Sequence, residues 1–215
     1  MTAGPNVVSR EEFEAARAEL LVEEKALTRA RDALAAKRRA LPAARVEKDY
    51  KFSTPTGEVS LLDLFDGRRQ LIIYHFMYAP GETQGCSGCS FLIDNLGHLA
   101  HLNARDTSFV ITSRASLAET APFRERMGWS HLPWVSSSDE FATDLGHHTP
   151  AGDRPTVSVY LRDGSDVLHT YTVQDRGGEM FIGTYHWLDL TALGRQEEQL
   201  DFPQQWWRLH DEHQN

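Results

Sequence analysis

Apolar positions along this chain fall into two kinds of pattern. From Arg10 to Leu41 they recur every seven residues, at Phe13, Leu20, Leu27, Leu34 and Leu41, in a stretch without Gly or Pro that is rich in Ala, Leu, Glu, Arg and Lys. Those residues are strong helix formers, and Ser9 with Glu12 three positions on has the form of a capping box. The pattern predicts one long helix, about 50 Å in length, ended by Pro42. Ala26, Ala33 and Ala40 precede the last three members of the stripe, and Ala16 and Ala30 start a second one. Glu23 and Lys37 interrupt that second stripe, so a strict two-position coiled-coil seam is incomplete. Such a helix would either pair with a partner subunit, making a homodimer, or strap across its own chain.

Beyond Pro42 the apolar runs are short. Leu71–Tyr78 is a nearly continuous run bounded by turn residues, the form of a strand buried on both faces. Ser108–Thr112 and Thr156–Leu161 read the same way. After the turn signal Asp163-Gly164, Val167–Val173 alternates as an antiparallel partner should, and Trp134–Ser138 reads as a short strand. Helical spacing covers Ser90–Asn103, with Phe91, Leu92, Leu96, Leu99 and Leu102 apolar and Gly97 weakening it. It returns over Ser116–Met127, where Ser116 and Glu119 form a second capping box, then as a turn at Asp139–Leu145 and near Leu188. The order strand, helix, strand, helix, hairpin, helix predicts an α/β fold with parallel central strands and an antiparallel edge. Three regions follow: a helical extension over 1–51, an α/β domain over 52–190 and a C-terminal extension over 191–215.

Charge sharpens that division. The chain of 215 residues has 22 Lys+Arg against 31 Asp+Glu, net −9. The first 51 residues hold 11 basic and 9 acidic side chains, net +2, leaving −11 for the rest. An acidic domain argues against general binding to nucleic acid, which needs clustered Lys and Arg. No apolar run approaches the roughly 20 residues of a membrane helix. Met1–Arg10 lacks the basic-then-apolar form of a signal peptide, so the expected location is the cytoplasm.

The chain has two cysteines, too few for a secreted disulfide framework. Both stand in Cys86-Ser-Gly-Cys89, where a buried strand gives way to a helix. Free N–H groups and the helix dipole stabilise an anion at such a place, and a thiolate there titrates well below an ordinary thiol. Cys86, at the first turn, is the expected nucleophile. Cys89, one turn in on the same face, is placed to resolve a mixed disulfide. Cys86, Cys89, His98 and His101 also show a superficially zinc-like spacing. On one continuous helix the two pairs would stand about 18 Å apart, too far for one ion unless the helix breaks at Gly97. No metal or organic cofactor is therefore expected. His75 reads as a core histidine, His147 and His148 as loop residues, and Trp206 and Trp207 as packing residues with closure over the site as the alternative.

The sequence resembles the DUF899 family of thioredoxin-like proteins, described as predicted dithiol–disulfide oxidoreductases. The likeness runs through Val8-Ser-Arg-Glu-Glu12, Arg45-Val-Glu-Lys-Asp-Tyr50, Ser60-Leu-Leu-Asp-Leu-Phe-Asp-Gly67, Tyr74-His-Phe-Met77, Gly85-Cys-Ser-Gly-Cys-Ser-Phe91, Pro133-Trp-Val-Ser-Ser137 and Gly183-Thr-Tyr-His-Trp-Leu-Asp-Leu190. It implies a thioredoxin-like, peroxiredoxin-related fold: a central mixed sheet flanked by helices, here with a long N-terminal helix. It further implies that Pro155, between Arg154 and Thr156 at the start of a strand, is cis and faces the cysteines to shape a substrate groove. Many relatives carry Pro-Ser between the cysteines where this chain has Ser-Gly. The expected partners are a disulfide-containing protein or small molecule and a thiol reductant. A rival reading comes from Pro80 and Thr83 ahead of Cys86, similar to the peroxiredoxin signature though with the Pro-to-Thr interval one residue shorter. There Cys86 would be peroxidatic, Thr83 would bind a peroxide oxygen, and Arg154, or else Arg114 or Arg124, would stand beside the sulfur. A third reading is a non-catalytic dimeric module that uses the pair as a redox sensor.

Overall fold

The computed structural model describes residues 4–213; the outermost ends of the first and last regions, including the first residues of the stretch read for a signal peptide, lie outside them. Helix α1 spans Arg10–Arg39, and its capping box is formed: the Glu12 amide donates to Ser9 Oγ at 3.2 Å and the Ser9 amide to Glu12 at 2.9 Å. Then come β1 (Ala44–Arg45), β2 (Lys51–Thr54), β3 (Gly57–Ser60), β4 (Gln70–His75), α2 (Ser87–Asp94), α3 (Ala100–Asn103), β5 (Thr107–Ser113), α4 (Leu117–Arg126) and β6 (Trp134–Ser137). The chain closes with α5 (Asp139–Asp144), β7 (His148–Thr149), β8 (Gly152–Asp153), β9 (Thr156–Asp163), β10 (Asp166–Gln174) and α6 (Gly183–Leu188), with short 3-10 turns between.

Eight strands form one sheet in the order β1-β10-β9-β4-β5-β6-β2-β3. β4, β5 and β6 run parallel, and β9 runs antiparallel to both β4 and β10. The inner four, β10-β9-β4-β5, with β9 the one reversed strand, have the thioredoxin-like arrangement. Period-two alternation gives the sheet two cores. One face buries Tyr74, Phe109, Ile111, Val157 and Val173 under α2 and α4. The other buries Leu71, Ile73, Val110, Val135 and Tyr160 against Phe52, Phe65 and Phe141.

Three local expectations change. β4 stops at His75; past it the Phe76 amide still donates to the Thr112 carbonyl at 2.8 Å and the Tyr78 carbonyl accepts from the Ala115 amide at 2.9 Å, before the chain enters the cysteine loop. The helix expected over Ser90–Asn103 is two pieces. Asn95 ends α2, donating from its side-chain amide to the Phe91 carbonyl at 2.7 Å. Its Oδ1 accepts from the amide and hydroxyl of Thr184 at 2.7 and 2.9 Å, so a partner distant in sequence sets the stop. No cis peptide bond occurs among the described residues, so Pro155 is trans. The Arg154 amide donates to the His147 carbonyl at 2.7 Å, which carries the chain into β9 without a cis turn.

On the face away from the cysteines, His75 and His147 are both buried and stack ring on ring. His75 Nε2, His147 Nδ1 and the Thr112 hydroxyl have no hydrogen-bond partner. Burial holds the pKa of His75 well below the ordinary imidazole value and that of His147 down to about 3. Both rings are therefore neutral when folded, whereas the unfolded chain protonates near the ordinary value. Stability is then fully present above about pH 6.5 and falls as pH drops toward about 3. The expected slope is about 1.4 kcal/mol per pH unit for each ring. Denaturant titrations at stepped pH check this: His147→Gln should flatten the acid limb, and a limb as steep as in the wild type would count against the assignment.

Candidate functional site

Cys86 is the N-cap of α2, with extended backbone (φ −59°, ψ 130°), and Cys89 lies in the helix's first turn. The junction hangs on the residue that follows Phe76. The Cys86 amide donates to the Met77 carbonyl at 3.2 Å, and the Met77 amide donates to Cys89 Sγ at 3.5 Å. The Cys86 carbonyl in turn accepts from both the amide and the hydroxyl of Ser90 at 2.9 Å. The loop ahead of Cys86 is tied down by the Gly81 amide, which donates to Glu119 at 2.8 Å. Gly85 permits the approach: a Cβ there would stand 2.3 Å from the Phe76 ring.

The two thiols are free, Cys86 half-buried and Cys89 fully buried. Their environments drive them apart. The Cys86 thiol is pulled down to about 6, chiefly by a hydrogen bond from the Cys89 thiol and also by the backbone N–H groups of Cys89 and Gly88, against burial and the nearby Glu82 carboxylate. Those N–H groups are the unpaired donors of a helix start. Burial pushes the Cys89 thiol well above its ordinary value, although the Tyr74 hydroxyl beside it works the other way. At neutral pH the site thus holds one thiolate on the accessible sulfur and one proton on the enclosed sulfur, the arrangement that thiol exchange requires.

Cys86 opens onto a cavity of about 490 Å³ whose lining includes Cys89, Tyr74, Pro155, Thr156, Val173, Ile182 and Trp207. Pro155, in the trans form, and Thr156 line the same cavity as the cysteine pair. Arg154 does not line the cavity; it turns to an ion pair with Asp175. Thr83 is exposed in the preceding loop and is likewise outside the lining. Arg114 is engaged by Asp153 and Asp139 at 2.9 and 2.8 Å, and Arg124 lies over the Trp134 ring. None of the three arginines considered for a peroxide site stands beside Cys86. The break after α2 does not assemble the zinc-like quartet either: no group of three or more His, Cys, Asp or Glu able to hold a metal occurs among the described residues.

Sequence reasoning undervalued the cover of the site. Trp207 lines the cavity and lies so close to the helix start that a Cβ on Gly88 would come within 2.8 Å of its ring. Its indole N–H donates to the Tyr185 hydroxyl at 3.0 Å, that hydroxyl donates to Glu197 at 3.2 Å, and Trp206 donates to the same carboxylate at 2.7 Å. Phe91 of α2 packs against Tyr185, Trp206 and Trp207. The C-terminal extension is further anchored by Asp211 to Arg126 at 2.6 Å and by His210 to Asp94 at 2.9 Å. The bare Gly88 between the cysteines was the available signal that something packs on that turn. Tyr74 was readable only as a strand residue.

The family model described as "Bacterial protein of unknown function (DUF899)" matches residues 2–213. No curated protein matches the sequence. Among solved structures, a mutant of Xanthomonas campestris peroxiredoxin Q is 13% identical, covering 65% of this chain and 89% of its own, with a TM-score of 0.45. Peroxidoxin BcpB from Mycobacterium tuberculosis is 18% identical, covering 66% of this chain and 94% of its own, with a TM-score of 0.45.

The electrostatics give a direct test. Thiolate absorbance titrated against pH should show one group with a midpoint near 6. Cys89→Ala removes the strongest contributor and should move that midpoint upward. A midpoint unmoved by Cys89→Ala would refute the assigned cause.

Proposed function

This chain belongs to the DUF899 family, and we propose that it is a dithiol–disulfide oxidoreductase with Cys86 as nucleophile and Cys89 as resolving thiol. The observation that carries this reading is the Cys86 sulfur at the N-cap of α2, titrating at about 6 and open to a cavity, with a protonated Cys89 enclosed beside it. The Cys86 thiolate attacks one sulfur of a substrate disulfide. The substrate S–S bond breaks, a Cys86–substrate disulfide forms, and the first substrate sulfur leaves as a thiolate that takes a proton from solvent. Cys89 then gives up its proton and attacks Cys86 Sγ. This releases the second substrate sulfur as a thiol and closes Cys86–Cys89, two electrons having passed to the substrate. A thiol reductant returns the pair to its starting state.

The remaining lining would position the substrate. Pro155 and Thr156 line the same cavity as the cysteines, and Trp207 packs against Gly88 in the first turn of α2. A cavity of about 490 Å³ is in the size range of small-molecule sites. It suits a small disulfide or a cystine-bearing loop of a protein. We place the activity in the cytoplasm, where such a pair is kept reduced; no helix among the described residues is long and apolar enough to cross a membrane.

Turnover decides. Reduced protein with a thiol donor should accelerate the reduction of insulin disulfides, and Cys86→Ser should bring the rate to background. Cys89→Ser should hold a substrate as a stable mixed disulfide, visible by mass. Rapid consumption of hydrogen peroxide with no disulfide reduction would replace this reading by the thiol peroxidase. Identical behaviour of wild type and Cys86→Ser in both assays would leave only the non-catalytic module.

A further inference from the structure

Helix α1 is the part of the molecule that its own fold leaves without a neighbour. None of its residues is buried. Phe13, Leu20, Leu27, Leu34 and, just past its end, Leu41 stand about half exposed, from 48% to 54%. Among the described residues, and apart from its own caps, the hydrogen bonds and ion pairs that α1 makes beyond its span run through Arg38, which donates to the Tyr171 hydroxyl at 3.0 Å and lies over that ring. The strap across the domain is therefore not formed. Thirty residues make a rod of about 45 Å that carries a leucine stripe into solvent.

The charges on the rod are segregated by half. Residues 10–24 hold six glutamates and two arginines, and residues 25–39 hold six Lys+Arg and one aspartate. The helix dipole favours acids in the first turn and bases in the last, and its influence fades within a turn. It does not account for acids that continue as far as Glu24. We propose that α1 docks on α1 of a second copy of this chain, antiparallel, about a two-fold axis passing near Lys25. The acidic half of each rod then lies along the basic half of the other. Parallel pairing would set like halves together, with Glu23 facing Glu23 and Lys37 facing Lys37 across the seam.

The side chains of the stripe agree with that direction. Position three after each stripe residue shares the seam, which brings in Ala16, Glu23, Ala30 and Lys37. With the axis near Lys25, Leu20 comes level with the partner's Ala30 and Leu34 with the partner's Ala16. Each of these leucines then meets a small residue, while Glu23 comes level with the partner's Leu27 and Lys37 with the partner's Phe13, so neither interruption faces its own copy as it would in a parallel seam. The contact is isologous and closes on itself. It carries the two α/β bodies at opposite ends of the rod, with the partner's Phe13 level with Lys37. That is next to Arg38, which together with Tyr171 lines a second cavity of about 510 Å³.

The full-length protein should have twice the chain mass by light scattering, and Leu20→Asp with Leu34→Asp should give a single chain. A wild type that stays monomeric at high concentration overturns the proposal. Direction is read by spin labels on Ala15→Cys, exposed and off the seam, in a chain whose Cys86 and Cys89 are changed to Ser. Antiparallel pairing places the two labels about 30 Å apart along the axis, and a parallel pair would leave them level, at the shorter distance set by the width of the pair. The shorter distance overturns the antiparallel assignment even if the protein is dimeric. Neither result bears on the cysteine chemistry, which the insulin assay tests by itself.

Discussion

The backbone of Met77 accepts from the Cys86 amide and donates to the Cys89 sulfur, and the chemistry of the site depends on that double attachment. Met77 lies two residues past β4, which is fixed on both sides by β5 and β9. The helix that follows is thereby aimed away from the end of the central strand, with its first unpaired N–H groups directed at Cys86. Cys89, one turn on, faces the interior. The same geometry that gives one sulfur donors and an opening gives the other burial. The difference between the two thiols thus comes from position rather than from a nearby cation; the carboxylate of Glu82 opposes the thiolate.

The acidic surplus of the domain is not gathered around this sulfur. The charged side chains lining the cavity are Asp175, Arg176, Glu179 and Arg208. Asp175 is matched by Arg154, and Arg176 meets Glu179 at 2.8 Å. Arg208 donates to the carbonyls of Gln205 and Trp207 at 2.9 and 2.8 Å. The wall is locally balanced and mostly apolar, so recognition would rest on shape and on the sulfur itself. Exposed ion pairs of this kind hold side chains in place more than they stabilise the fold.

Features written in consecutive residues are legible in the sequence itself. Ser9 with Glu12 and Ser116 with Glu119 both form their boxes, the apolar runs at Leu71, Ser108 and Thr156 all become strands, and the cysteines do sit where a strand hands over to a helix. What sequence missed depends on distant partners. Asn95 stops α2 with its side-chain oxygen held by Thr184. Arg154 leaves the cysteines because Asp175 holds it. Trp207 becomes a wall of the site because Tyr185 fixes its indole. The trans form of Pro155 belongs with these, since the path into β9 is set by the bond from Arg154 to His147. Local chemistry predicts elements and caps; it does not predict which side chains long-range pairing takes away.

Alternation along β4 explains why two unusual polar groups coexist so close together. Tyr74 points to the cysteine face and His75 to the opposite one, where His147 stacks on it. A protonated His75 would place a positive charge behind the thiolate and make its titration depend on the histidines. Burial prevents this: His147 takes its proton only at about 3, well below the value of about 6 at which Cys86 ionises. Through the whole range in which the Cys86 thiolate forms, the pair behind the sheet is neutral. The thiolate is then stabilised by the helix start and by Cys89 alone. Oxidation to a Cys86–Cys89 disulfide removes the anion and the donor together, so it leaves no unpaired charge in the buried site.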